Sequence, residues 1–281
     1  MSNRLFSKII VSLCLFVFIP LVVWAGESFK FVQLTDLHIG WGHDMELCKQ
    51  AAAQINKLDE KIEFVAITGD LFDAGFESPK ENDVKELTTF LKGFKVPVFC
   101  VPGNHDLFNK IQNTQTAVDN FKKVVGPFPR FYECKGYRMV FFCELPLARQ
   151  GGPIAEYDPL RWLDDTLKTP PAEPSLIFMH IPSIPKNSAK PKGADWKLDN
   201  LAPWSAVLHR YDVKAVICGH YHIDLQGADG NIPVFVSASV TDKKGENAQP
   251  SFRVYSIDAD GKVTFKTYNI TEEAPVPVGT K

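Results

Sequence analysis

Short β-rich apolar segments alternate with amphipathic helical patterns from residue 28 onward, and this alternation constrains the fold more than any other feature. It is typical of sheets covered by helices, and so predicts an α/β protein. The predicted strands are 29–34, 62–68, 96–101, two within 131–145, 176–179, 213–218, 234–238, 252–257 and 263–268. The predicted helices are 45–58, 82–94, 111–125, 159–167 and 202–209.

The beginning of the chain has the organisation of a secretory leader. Arg4 and Lys8 give a positive start, and residues 9–24 form an uncharged run of 16 residues. We expect a signal peptide over residues 1–25 and an exported protein, periplasmic or secreted. The alternative is an uncleaved segment that attaches the protein to a membrane. A spanning helix usually needs about 20 apolar residues, and Pro20 interrupts the run, so we favour cleavage.

Residues 26–281 contain no internal repeat and no low-complexity linker, so we expect them to form a single domain. The sequence carries 31 Lys and Arg against 33 Asp and Glu, a formal net charge of −2. A chain with this balance has no basic field to hold a nucleic acid backbone. General nucleic acid binding is therefore excluded.

The cysteine spacing gives no support to a thiolate metal site. Five cysteines follow the leader, and no two of them have the C-x-x-C spacing of zinc or dithiol redox motifs. Cys134 and Cys143 are close enough in sequence to pair, and the sequence leaves that question open.

Several predicted strands run directly into residues that bind metal ions. In α/β sheets, ligands bind beyond the carboxyl ends of strands, because the loops from separate strands converge there. Five of the seven histidines lie in these positions. We expect the strand-end residues to meet at one site. They are Asp36, His38, Asp70, Asn104, His105, Asp106, His180, His220 and His222.

The donor types indicate which metals this site would take. Imidazole together with carboxylate and amide oxygen suits divalent Mn, Fe or Zn. Seven donors are too many for one tetrahedral zinc and fit two ions that share a bridging carboxylate. Two ions about 3.5–4 Å apart are a common arrangement for displacement at phosphorus. We therefore predict two divalent metal ions held by Asp36, His38, Asp70, Asn104, His180, His220 and His222.

The same blocks, in this order, carry a family resemblance. The set Asp36-x-His38, Gly69-Asp70, Gly103-Asn104-His105-Asp106, His180 and Gly219-His220-x-His222 resembles the calcineurin-like metallophosphoesterase superfamily. The resemblance spans residues 29 to about 240. It implies a four-layer α/β/β/α sandwich of two mixed sheets with the metals at the loop ends. It also implies the ligand sets: Asp36, His38 and His222 on one metal, Asn104, His180 and His220 on the other, and Asp70 bridging both.

His105 is the motif histidine outside the ligand set, and the resemblance implies that it donates a proton to the leaving oxygen. Beside two cations, a histidine keeps that proton only if a carboxylate offsets their charge. Asp73 matches the aspartate that pairs with the catalytic histidine in serine/threonine phosphatases, and Asp106 is adjacent to His105 in sequence. We favour Asp73, because neighbouring side chains on an extended loop diverge.

Two subfamily patterns are not followed. Protein serine/threonine phosphatases have a phosphate-binding arginine where this sequence has Ala74. Purple acid phosphatases have a tyrosine ligand where this sequence has Asp73. The length, the Asp-x-His start and residues 179–182 are most similar to bacterial enzymes that resemble class III cyclic nucleotide phosphodiesterases.

The sequence thus predicts an exported phosphoesterase. Its substrate would be a small phosphoester, either a phosphodiester or a small phosphomonoester. The reaction would use hydroxide activated by two metals, with His105 as the general acid. The alternative is a catalytically silent metal-binding or recognition domain on the same fold. The complete donor set and His105 favour the enzyme.

Overall fold

A computed structural model describes residues 27–40, 44–108, 111–171, 173–186, 195–241 and 249–271. The predicted signal peptide lies outside these residues. Within them, no helix is both long enough and apolar enough to cross a membrane.

The described residues form two sheets and several helices. The strands are β1 (Phe29–Leu34), β2 (Val65–Thr68), β3 (Val98–Val101), β4 (Arg130–Cys134), β5 (Tyr137–Phe141), β6 (Ser175–Phe178), β7 (Val213–Cys218), β8 (Leu225–Asp229), β9 (Ile232–Val236), β10 (Ser251–Ile257) and β11 (Val263–Asn269). The helices are α1 (Asp44–Ile55), α2 (Glu81–Lys92), α3 (Asn104–Leu107), α4 (Thr114–Val124), α5 (Pro159–Leu167) and α6 (Leu198–Leu208).

The first sheet has five strands in the order β11-β10-β1-β2-β3. β1, β2 and β3 are parallel, whereas β10 is antiparallel to both β1 and β11. Parallel neighbours need a crossover, and α1 and α2 provide it here. β10 and β11 are consecutive in the chain, so a short turn over 258–261 joins them, as the sequence predicted.

The second sheet has six strands in the order β4-β5-β6-β7-β9-β8. Its central strands β5, β6, β7 and β9 are parallel, and β4 and β8 run antiparallel at the two edges. Lys135 and Gly136 join β4 to β5 with φ values of 55° and 79°. Two positive φ values are typical of the tight turn that matches strand twist in a hairpin. The predicted hairpin is therefore confirmed.

The two sheets pack face to face through aromatic side chains. On β1, Phe29 and Phe31 point into the core between the sheets, while Val32 points to the outer face. The Phe31 ring meets Phe178 of the second sheet edge-to-face, with 5.3 Å between ring centroids. The outer faces pack against helical residues such as Trp204. The predicted four-layer α/β/β/α sandwich of two mixed sheets is therefore confirmed.

Local capping explains where two of the predicted helices begin. The Asp158 side chain accepts a hydrogen bond from the Arg161 amide, so α5 begins at Pro159 as predicted. The helix predicted over 111–125 begins later, at Thr114, because Asn113 caps it by accepting from the Thr116 amide.

Two short elements were missed in the sequence. β8 is an edge strand with mostly exposed residues, so it lacks the apolar alternation that marks other strands. α3 is a single turn directly after β3, too short for a helical period to show. The question of a Cys134–Cys143 pair is also settled, since both residues are buried free thiols.

Candidate metal centre

The donor residues follow the strands at a nearly constant spacing. Four of them come two residues after a parallel strand, and a fifth comes three residues after β3. Because these strands end at the same edge of the sandwich, their side chains converge there. The five residues are Asp36 after β1, Asp70 after β2, Asn104 after β3, His180 after β6 and His220 after β7.

A first group of donors draws on both sheets. Asp36, His38, Asp70 and His222 are buried, and their ligand atoms lie within 4.8 Å of one another. Nε2 of His222 lies 3.0 Å from Oδ1 of Asp36 and 3.2 Å from Nε2 of His38. The group has the size and the donor types to hold one cation.

A second group shares Asp70 with the first. Asp70, His180 and His220 also have ligand atoms within 4.8 Å of one another. Oδ2 of Asp70 lies 3.2 Å from Nε2 of His180, and Oδ1 of Asn104 lies 3.1 Å from the same nitrogen. All seven predicted donors are thus brought together, and Asp70 lies where a bridging carboxylate would be needed.

Buried polar atoms show that this site suits a cation. In the described part of the chain, Oδ1 of Asp36 is buried without a well-aligned hydrogen bond. The Nε2 atoms of His38 and His222 face each other at 3.2 Å, although both would be acceptors in neutral ligating imidazoles. A shared cation relieves both problems, so the residues present fit a metal.

The electrostatics of the site also call for positive charge. Burial alone would raise the pKa of Asp70, but the charge and hydrogen bond of His180 hold that pKa below its usual range. The pKa of Asp36 is likewise held low, since nearby histidines outweigh the effect of its burial. Burial and the neighbouring His180 lower the pKa of His220 to about 4, so this imidazole is neutral. Burial would also lower the pKa of His180, but the charges of Asp70 and Asp36 raise it to about 10, so His180 supplies the positive charge beside these carboxylates.

Hydrogen bonds with the backbone orient the predicted metal donors. Nδ1 of His180 donates to the Thr68 carbonyl at 2.7 Å, which leaves Nε2 for a metal. The His105 amide donates to Oδ1 of Asp70 at 2.8 Å, and the His220 amide donates to Oδ2 of Asp36 at 3.0 Å. Each carboxylate is therefore fixed by the loop that carries another site residue.

Two motif glycines are required because the backbone passes against these carboxylates. A Cβ atom on Gly103 would lie 2.1 Å from Oδ1 of Asp70. A Cβ atom on Gly219 would lie 1.9 Å from Oγ1 of Thr35 and 2.6 Å from Oδ2 of Asp36. Any side chain at either position would displace a donor.

Backbone strain is concentrated at the site. Five donors have φ between 45° and 71°, the left-handed region that costs non-glycine residues roughly 1–2 kcal/mol each. Such strain persists only where the surroundings enforce it, and it clusters at functional sites. The five are Asp36, His38, Asp70, His220 and His222.

His105 lies beside the first group of donors. Its ring is edge-to-face with the His38 ring, with 4.8 Å between centroids, and its side chain is 27% exposed. Nδ1 of His105 lies 3.1 Å from the Asp73 carbonyl oxygen and 3.5 Å from Oδ1 of Asp73. Asp73 thus holds one ring nitrogen, and a proton for a substrate would come from Nε2.

Asp106, which the sequence offered as a second possible partner of His105, contacts backbone amides instead. Its buried Oδ1 accepts from the amides of Leu71 and Phe72, both at 3.0 Å, and Oδ2 accepts from the Gly103 amide at 2.8 Å. Burial, with the charge of Asp70, raises the pKa of Asp106 to about 7. This is the geometry of a brace between two loops. The carboxylate beside His105 is therefore that of Asp73, whereas Asp106 contacts the backbone of the loops after β2 and β3.

Glu144 is a site residue that the sequence analysis missed. Its fully buried carboxylate accepts from the Ile181 amide at 2.7 Å and from the His180 amide at 3.3 Å, so it fixes the backbone of a donor. Burial raises the pKa of Glu144 to about 7. A signal was present, because Glu144 is an acidic residue directly after an apolar segment, like the donors themselves.

Comparison with known sequences agrees with this site. The sequence profile of the calcineurin-like phosphoesterase family matches residues 29–224. The protein therefore belongs to the calcineurin-like phosphoesterases, as the motif blocks indicated.

Particular relatives extend over nearly the whole chain. Serine/threonine-protein phosphatase CPPED1 of Mus musculus is 27% identical over 277 residues, covering 89% of this chain and 86% of its own. A 3′,5′-cyclic-nucleotide phosphodiesterase of Nostoc is 26% identical over 269 residues, covering 88% of this chain and 94% of its own. A dimetal phosphatase of Danio rerio shares the fold, with a TM-score of 0.59 at 16% identity over 89% of this chain and 98% of its own.

Proposed function

We propose that the protein is an exported, metal-dependent hydrolase of a phosphodiester or a small phosphomonoester. The observation that carries this proposal is the pair of donor groups that share Asp70, with His105 and Asp73 beside them. Membership of the phosphoesterase family supports the reaction class. Relatives named as a phosphatase and as a phosphodiesterase support both ester types.

The donor groups define which residues would hold metals. Two divalent cations, when bound, would activate a water for attack at phosphorus and neutralise the charge that develops on the phosphoryl oxygens. The donors suit Mn, Fe or Zn, since they combine imidazole with carboxylate and amide oxygen. Asp36, His38 and His222 would hold one ion, Asn104, His180 and His220 the other, and Asp70 both.

His105 and Asp73 would carry out the proton transfer to the leaving group. His105 lies next to His38 and is partly exposed, so a substrate on the metals can reach it. It would donate a proton from Nε2 to the departing alkoxide. Asp73 contacts Nδ1 of His105 and would hold the ring in this orientation and tautomer.

Metal content and hydrolysis, measured on the same preparation, test the proposal. We expect two metal ions per chain and metal-dependent hydrolysis of bis-p-nitrophenyl phosphate, p-nitrophenyl phosphate, or both. Asp70→Asn should lose metal and activity together, because Asp70 belongs to both donor groups. Metal-loaded protein that is inert on both compounds and on natural diesters would instead favour the silent recognition domain.

A metal-supplemented substrate panel would then identify the ester. Cyclic nucleotides are the first arm, because Ala74 stands where protein phosphatases carry a phosphate-binding arginine. Phosphoserine peptides are the second arm, because CPPED1 is named as a protein phosphatase. Nucleotides, sugar phosphates and phospholipid headgroups complete the panel. The arm with the highest kcat/KM decides between a diesterase and a monoesterase.

Export is a separate part of the proposal and rests on the first 25 residues. Expression of the full sequence in a bacterial host, followed by mass measurement of the fractionated protein, tests it. We expect a periplasmic or secreted chain that begins at Gly26. An intact leader in the membrane fraction would indicate anchoring, and an intact leader in the cytosol would contradict export.

A further inference from the structure

Gln33 is a fully buried polar residue in the apolar core between the two sheets. It continues the face of β1 on which Phe29 and Phe31 point into that core. It lies on β1 three residues before Asp36, near the end of the strand that leads into the donor groups. A buried amide of this kind costs free energy unless all its hydrogen bonds are made.

All four hydrogen-bonding positions of the Gln33 amide are used. Nε2 donates to Oγ1 of Thr68 and to the Cys218 carbonyl, both at 2.8 Å. Oε1 accepts from Oγ of Ser237 at 2.5 Å and from the Tyr255 hydroxyl at 3.1 Å. The side chain is therefore held in one orientation.

Two of the four partners belong to each sheet. Thr68 ends β2 and Tyr255 lies on β10, both in the five-stranded sheet. Cys218 ends β7, and Ser237 directly follows β9, both in the six-stranded sheet. Gln33 thus connects the two sheets by hydrogen bonds next to an aromatic and aliphatic core cluster.

The donor groups need both sheets at a fixed separation. The first group takes Asp36 and His38 from the five-stranded sheet but His222 from the six-stranded sheet. The second combines Asp70 with His180 and His220 in the same way. A small change in the separation of the sheets would therefore change the distances within both groups.

Gln33 contacts the strand ends that carry these donors. Thr68 is two residues before Asp70, and its carbonyl accepts the Nδ1 hydrogen of His180. Cys218 is two residues before His220. Gln33 therefore donates hydrogen bonds to the last residue of a strand in each sheet, immediately before the backbone turns into the site.

Arg253 makes further polar contacts between the two sheets. Arg253 on β10 is buried, and its guanidinium donates to the Tyr255 hydroxyl at 3.3 Å. The same guanidinium pairs with Asp224 at 2.8 Å, two residues after His222. Polar contacts between the sheets thus run from Gln33 to the loop that follows the paired histidines.

We propose that Gln33 is a positioning residue whose four hydrogen bonds hold the two sheets at the separation at which donors from both close on the same metal ions. This inference rests on the proposed function, because it concerns the same site. Gln33 itself belongs to neither donor group. Loss of its hydrogen bonds should therefore lower metal affinity through the placement of the donors, in addition to lowering stability.

Two matched substitutions of buried glutamines test this role. Gln33→Met keeps length and volume but removes all four hydrogen bonds. Gln54→Met is the control, since Gln54 is also buried and bonds Thr271 between α1 and the end of β11, outside the donor groups. The measurements are Mn²⁺ titration calorimetry of the metal-free full chain and thermal unfolding of both variants.

We expect Gln33→Met to weaken Mn²⁺ binding by about 10- to 100-fold, the range found when groups behind metal ligands are lost. Gln54→Met should keep wild-type affinity at a similar change in Tm. Ser237→Ala removes one of the four bonds and should weaken binding by about two- to tenfold. It serves as the milder variant if Gln33→Met does not fold.

Wild-type Mn²⁺ affinity in the folded Gln33→Met variant would overturn the positioning role. If that variant does not fold, unchanged affinity in Ser237→Ala would overturn it. Equal loss of affinity in Gln33→Met and Gln54→Met would also overturn it, because the effect would then reflect general destabilisation. Failure of the wild-type chain to bind Mn²⁺, Fe²⁺ and Zn²⁺ in the same titration would contradict the proposed function, and the positioning role would fall with it.

Discussion

Oδ1 of Asp73 lies 3.5 Å from Nδ1 of His105. The same oxygen lies 3.6 Å from Nδ1 of His38, so one carboxylate stands between the proposed acid and a proposed metal donor. The charge of the Asp73 carboxylate can therefore act on both rings while the side chain remains partly exposed. Asp73 thus lies between His38, a proposed metal donor, and His105, the proposed acid.

The first prediction concerns His105. His105→Ala should lower kcat about 10²- to 10⁴-fold on an alkyl phosphoester, the usual contribution of a general acid. The loss should be much smaller on bis-p-nitrophenyl phosphate, whose leaving group departs without a proton. Metal content should stay at the wild-type level. An equal loss on both types of ester would contradict the assignment of His105 as acid.

Asp73→Asn should lower kcat about 10- to 100-fold, as expected when a group that orients a catalytic histidine is lost. The asparagine keeps the shape and the backbone carbonyl that accepts from Nδ1 of His105, so the substitution removes only the carboxylate charge beside that nitrogen. Combining Asp73→Asn with His105→Ala gives a double-mutant cycle. We expect the double variant to be no slower than His105→Ala alone. Additive losses would show that the two residues act independently.

Asp106→Asn should act on stability. The NH2 group of an asparagine cannot accept the hydrogen bond that Oδ2 of Asp106 accepts from the Gly103 amide, so one buried donor loses its partner. The free energy of unfolding should fall by about 1–3 kcal/mol, as measured by urea denaturation. The kcat of the metal-loaded variant should remain far above that of His105→Ala. A loss of kcat as large as that of His105→Ala would show that Asp106 has a catalytic role after all.

Gly103→Ala should abolish metal binding, because the new Cβ would overlap Oδ1 of Asp70 at 2.1 Å. Gly93→Ala is the matched control, since Gly93 follows α2 in a right-handed conformation and a Cβ atom there would lie 3.1 Å from its nearest neighbour. Metal content measured after dialysis compares the two. Full metal content in Gly103→Ala would show that the Asp70 carboxylate can shift without losing a cation.

Much of the site could be predicted from the sequence because five of the seven donors follow an apolar strand within two or three residues, and His38 and His222 come four residues after theirs. The parallel arrangement of those strands then brings the donors together without further information. The choice between Asp73 and Asp106 was harder. It depends on α3, a single turn that directs Asp106 back to the Gly103 amide and lies below the length at which periodicity is visible.

The contacts that give two other residues their roles could not be found from local patterns, although Glu144 itself follows an apolar segment as the donors do. Gln33 sits in an apolar strand as one polar residue, and its importance depends on partners up to 222 residues away. Glu144 acts through backbone amides 36 and 37 residues further on. Such contacts arise from the packing of separate elements, so a single sequence does not reveal them. The signal peptide and export stay predictions.

Because each donor group combines residues of both sheets, neither sheet alone carries a complete group. Metal binding would then be thermodynamically linked to the docking of the two sheets. At a free metal concentration of about 100 times Kd, this linkage would add about 2.7 kcal/mol per site to the free energy of unfolding. If the chain is exported unfolded, it would take up its ions only after translocation, and the metal supply of the outer compartment would decide which ions it carries.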